Sequence, residues 1–143
     1  MTTEQNKAIG LRFLDAAVAG DQANFKDLLS PDFVAHLATG PQNSEVFLQH
    51  NNFFTMAFSD RRFTVKDQVA EGDKVVTLAI WRGIHSGSFQ GLPPTGKQIA
   101  ISAIFIERIK EGQIEEHWSL FDQLSMMQQL GLIPPPQSSR ETN

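Results

Sequence analysis

A chain of 143 residues, 41% hydrophobic and 20% charged, has the make-up of an ordinary globular protein and the length for one hydrophobic core. A net charge of −4 with no basic run argues against nucleic acid as a partner, because phosphate neutralisation needs clustered Lys and Arg. The absence of cysteine removes disulfide, thiolate and zinc–thiolate chemistry.

No apolar run approaches the ~20 residues of a membrane helix, so no membrane contact is expected. The opening MTTEQNKAIG lacks the charged and then apolar layout of a signal peptide, and a cytoplasmic location is expected. Eleven Phe and two Trp against no Tyr suggest rings used for burial rather than for a wet surface.

Residues 4–19 read as a helix, with Ile9, Phe13, Ala16 and Ala17 at helical spacing, Thr2 or Thr3 as cap and Gly20 as stop. Asp21 caps a short second helix carrying Phe25, Leu28 and Leu29. DFVAHLA, residues 32–38, reads as a short extended segment and TGPQN as a turn-rich link. Ser44 is placed to cap a third helix, 45–58, with Phe47, Asn51, Phe54 and Phe58 on one stripe.

The period then changes from helical to alternating. Residues 61–87 predict two strands around EGDK, where Gly72 supplies the permissive backbone. Val75, Thr77, Ala79, Trp81, Gly83 and His85 share one face of the second strand. SFQGLPPTG is an irregular loop, and two long strands follow over 97–122, joined at KEGQ. Ser125 and Gln128 stand at capping-box spacing for a last helix, and the tail 133–143 is predicted to be disordered.

Helices followed by a four-strand meander predict one α+β domain over 1–132, a curved antiparallel sheet wrapped around the N-terminal helices. Both faces of the long strands are apolar. One packs on the helices, and a second copy of the chain is expected to cover the other as a homodimer through the sheet.

AEGDKVV, GIHSGSFQGLPPTGK and GQIEEHWSLFDQLSMMQQLGLIP resemble the SnoaL-like family, the polyketide-cyclase or ester-cyclase branch of the NTF2-like superfamily. The resemblance runs nearly end to end. It implies an NTF2-like cone whose curved sheet and helices enclose one deep pocket. It also implies cofactor-free aldol ring closure, with an Asp at the end of the last strand as acid/base. That Asp falls on Asp122. The cyclases set polar side chains, a His among them, on neighbouring strands, whereas the strand from Ile99 to Ile109 offers Ser102, Glu107 and Arg108.

Asp122 carries two readings. Alternation puts it in line with Ile114, Trp118 and Leu120, where desolvation would tune a carboxylate to take a proton α to a carbonyl. It is also a favoured N-cap just before a helix. His85, in line with Trp81, either shares a proton with Asp122 or pins the Gly/Pro loop. His117 alternates with Trp118 and is expected on the outer or dimer face. His36, Asn51, Phe54, Trp81, Phe105 and Trp118 are the expected substrate-binding residues.

The four histidines show no metal-ligand spacing, so neither a metal nor another cofactor is expected. The function expected is an aldol cyclase or isomerase acting on a small hydrophobic carbonyl compound. The alternatives are a non-catalytic carrier of such a compound and an assembly module that recruits a protein partner.

Overall fold

A computed structural model describes residues 1–135 of the chain. From residue 136 onward the tail expected at 133–143 lies outside the described residues. Helix α1 (Thr3–Ala19) begins with a reciprocal cap. The Gln5 N–H donates to the Thr2 hydroxyl, and the Thr2 N–H donates to the Gln5 side chain. It ends at Gly20, whose φ of 71° suits a residue without Cβ.

Asp21 caps α2 (Gln22–Asp27). Helix α3 (Ser44–Ala57) takes Asn43 as its cap rather than the expected Ser44, because Asn43 stands three residues before the Val46 N–H it accepts. By the same geometry the expected Ser125–Gln128 box is replaced. Asp122 accepts the Ser125 N–H at 3.1 Å, and α4 (Gln123–Leu130) starts earlier than predicted.

The predicted meander is present as β3 (Phe58–Glu71), β4 (Lys74–His85), β5 (Gln98–Lys110) and β6 (Gln113–Phe121). Two further strands extend it, β1 (Leu29–Leu37) and β2 (Gly40–Gln42). The six strands run β2-β1-β6-β5-β4-β3, with β1 parallel to β6 and every other pairing antiparallel. The TGPQN link thus includes strand β2, paired back onto β1.

The inner face of the sheet carries Val75, Thr77, Ala79, Trp81 and His85 of β4, all buried as the alternation predicts. Beside them lie Ile99, Ile101, Ala103, Phe105, Glu107 and Ile109 of β5. Helix α1 packs on β3 and β4, α3 on β1 and β3, and α4 on β5.

Burial forms two clusters. One joins Phe13, Phe25, Phe33 and Phe47 to the sheet; the other gathers Phe58, Trp81, Phe89, Ile99 and Met126. Phe63 and Phe121 pack against both. The candidate site lies where the clusters meet.

Candidate active site

The site depends on one extra residue in β6. Ile109 stands opposite Ile114, but Arg108 stands opposite Glu116, leaving Glu115 unmatched. Such a bulge inverts the alternation beyond it. Ile114 and His117 are therefore both buried on the inner face, at 0% and 1% exposure. Ser119 and Phe121 follow His117 inward and line the cavity. His117 is thus in the core, which corrects its expected place on the outer face.

Facing that strand is a cavity of about 50 Å³, walled by Phe13, Phe47, Phe63, Trp81, Phe105 and Phe121, with His50, Asn51, Thr55, Arg61, His117 and Ser119 as its polar members. Glu107 and His117 are direct cross-strand neighbours. Their Oε2 and Nδ1 lie 2.8 Å apart, with each side chain 1% exposed. The imidazole is held among Phe13, Phe47 and Phe105, with ring centroids 4.8, 5.1 and 5.9 Å away. A carboxylate that accepts the Nδ1 proton fixes the ring's tautomer and leaves Nε2 free to accept another.

His50 sits at the rim, exposed on one side and edge-on to Phe54 on the other. Desolvation holds it below the ordinary imidazole value, and charge on His117 lowers it further. Arg61 donates to the carbonyls of Val18, Thr55 and Phe58 at 2.7, 3.0 and 2.6 Å, and burial lowers its value. Asn51 Nδ2 donates to the Ala17 carbonyl at 3.2 Å. Arg61 and Asn51 thus clamp the ends of α1 and α3 over the cavity.

Of the residues expected from the sequence, Asn51, Phe54, Trp81 and Phe105 come together in the cavity wall. The other four do not join them. His85 is fully buried, and its Nδ1 accepts the Thr95 N–H at 3.2 Å and contacts the Thr95 hydroxyl at 2.9 Å. It pins the 86–97 loop. Asp122 is exposed and serves as the cap of α4. Its expected neighbour Leu120 is 72% exposed and desolvates nothing.

His36 and Trp118 lie on the outer face rather than in the pocket: the β6 bulge turns Trp118 outward, and the parallel β1–β6 register sets His36 beside it. Their rings stack at 4.7 Å and 9°. His36 Nε2 meets Glu116 Oε2 at 2.7 Å, and Arg108 Nε donates to Glu116 Oε1 at 3.0 Å. These contacts, the His36 hydrogen bond foremost, hold Glu116 below the ordinary glutamate value of 4.5 against an opposing desolvation.

A carboxyl depressed on folding contributes stability that is complete above its unfolded value and lost as pH falls through its folded value. Glu116→Gln is therefore expected to flatten the acid limb of stability. Urea midpoints taken from about pH 6 to about pH 3 check this, and an unchanged limb rejects it.

His117 and Glu107 are what sequence reasoning missed. Glu107 shares the parity of Phe105 and Ile109, so its inward side was readable. His117 was not, because an unmarked bulge reversed the count. Among the described residues, no three His, Asp or Glu gather as metal ligands and no helix is long and apolar enough to cross a membrane.

A curved six-stranded sheet closed by helices over an aromatic cavity defines an NTF2-like α+β cone. The model of the SnoaL-like polyketide cyclase family matches residues 8–130, and the chain belongs to that family. It is 27% identical over 113 residues to nogalonic acid methyl ester cyclase of Streptomyces nogalater, covering 78% of this chain and 82% of that one.

Among solved structures, IdmH of Streptomyces antibioticus, a proposed polyketide cyclase, is 33% identical with a TM-score of 0.80, over 89% of this chain and 99% of that one. AclR of Streptomyces galilaeus, a proposed hydroxylase, shares the fold at a TM-score of 0.90 and 24% identity, over 99% of this chain and 90% of that one.

Proposed function

We propose that the chain is a cofactor-independent acid–base enzyme of the cyclase type, moving a proton α to the carbonyl of a small hydrophobic compound. The His117–Glu107 pair in the wall of an aromatic cavity carries this reading. Aldol closure and isomerisation both need a base for the α-proton and a donor for the enolate oxygen. His117 Nε2 takes the proton while Glu107 holds the ring. Ser119 and His50, in the same wall, are the donors. A relative named as a methyl ester cyclase supports the reaction class.

Asp122 offers a second reading. Its chain neighbours Phe121 and Gln123 line a larger outer chamber, so a ligand filling that chamber approaches the strand end where Asp122 stands.

The test is deuterium exchange at the methyl group of 2-acetylnaphthalene in D₂O, followed by proton NMR. The protein is expected to speed exchange well above the buffer rate. Bound ketone that exchanges only at the buffer rate overturns the reading.

The proposal includes a homodimer. On the outer face Leu78, Ile104 and Leu120 form one cross-strand row, exposed at 39, 41 and 72%. Sedimentation equilibrium giving a single chain of 15.9 kDa rejects that part.

A further inference from the structure

We infer that the outer face of the sheet carries a second site, separate from the cavity, in which Arg62 and Arg82 hold the phosphate group of a small phosphate monoester.

A bulge in β3 builds it. Ser59 stands opposite Ile84 and Arg62 opposite Arg82, so Asp60 and Arg61 together face Gly83. Two residues against one re-aim the side chains around them. Arg61 turns inward to the cavity wall, and Arg62 turns outward. Asp60 absorbs the kink at a φ of 51°, a left-handed conformation that few residues other than glycine adopt. On β4, Arg82 lies between the buried Trp81 and Gly83 and therefore points to the same outer face.

Arg62 and Arg82 are thus direct cross-strand partners on one face, and like charges so placed repel. Among the described residues no carboxylate comes within ion-pair distance of either guanidinium, whereas Arg108 in the same sheet engages both Glu115 and Glu116. The repulsion is left for a bound anion to relieve. Arg82 Nη1 donates to Thr64 Oγ1 at 2.7 Å, which holds one fork in place before any ligand arrives.

The two forks open on a surface pocket of about 300 Å³ that also takes in Asp60, Ile84, Gln98 and Ala100. A phosphate monoester near neutral pH carries a charge of about −1.5 to −2 and three acceptor oxygens. That suits two guanidinium forks and the Gln98 amide, whereas a carboxylate brings one charge and two oxygens. Arg82 and its β5 partner Ala100 lie along the strands from the pair Leu78 and Ile104. At roughly 3.3 Å per residue the separation is about 13 Å, so the pocket stands apart from the apolar row assigned to the homodimer. The site depends on neither the cavity nor the proposed reaction.

The arginine Nε–Hε signals of the ¹⁵N-labelled chain test this as methyl phosphate replaces chloride at constant pH and ionic strength. The Arg62 and Arg82 signals are expected to move together on one saturating curve, with acetate at least about tenfold weaker. Arg62→Gln and Arg82→Gln should each weaken methyl phosphate about tenfold or more, the effect of losing one charge-assisted hydrogen bond. Arg12→Gln, an exposed change on α1, should leave the curve where it was. Shifts that fail to saturate, acetate as tight as methyl phosphate, or a curve unchanged in both glutamine variants overturns the inference. So does a response that follows protein concentration instead of methyl phosphate, which would mark the pair as a protein contact.

Discussion

Replacing His117 with glutamine is expected to lower α-proton exchange by about a hundred- to ten-thousand-fold, the range that a positioned acid or base contributes. Glutamine keeps hydrogen-bonding capacity beside Glu107 but cannot accept a proton near neutral pH. Asp122→Asn is expected to change the same rate less than about threefold. Asparagine caps a helix about as well as aspartate, so α4 keeps its start at Gln123. Initial exchange rates of the two variants, at matched ketone saturation, make the comparison. The reverse ranking moves the proton-handling group to the strand end and removes His117 from the reaction.

Glu107→Leu is expected to destabilise the fold by about 1–3 kcal/mol, the cost of leaving a buried donor without its hydrogen-bond partner. The imidazole would be left at 1% exposure with no carboxylate. The double variant Glu107→Leu/His117→Phe should recover most of that loss. A second apolar side chain then fills the space among Phe13, Phe47 and Phe105, and replacing a buried pair by packed apolar groups is often neutral or stabilising. Urea unfolding of the single and double variants measures both. A Glu107→Leu cost below about 1 kcal/mol, the scale of an exposed pair, contradicts the buried geometry. A fold that tolerates the double variant but loses exchange shows a pair kept for chemistry rather than for stability.

Much of the architecture was legible because it follows from local patterns. The helical stripe through Ile9 and Phe13, the stop at Gly20 and the alternation from Val75 to His85 all appear where spacing placed them. Asn51, Phe54, Trp81 and Phe105 were legible as cavity wall because each lies on the apolar side of its own element. The errors cluster where one residue's difference matters. Asn43 displaced Ser44 as a cap, and of the two candidates read for the last helix, Asp122 rather than Ser125 caps it, since cap geometry rather than residue preference chooses among adjacent candidates.

The chain by itself determined its helices, the β3–β6 meander and the inner face of β4, set by periods of 3.6 and 2 and by turn residues, while its motifs carried the resemblance to the family. Only the tertiary structure decided the site. The unmatched Glu115 turned His117 inward onto Glu107 and Trp118 outward, and the parallel docking of β1 on β6 set His36 beside Trp118 on the outer face. A bulge and a parallel crossover join distant segments at a register that no local pattern encodes. Burial of the inner face favours them, because this register places Ile114, His117 and Phe105 together among the buried residues.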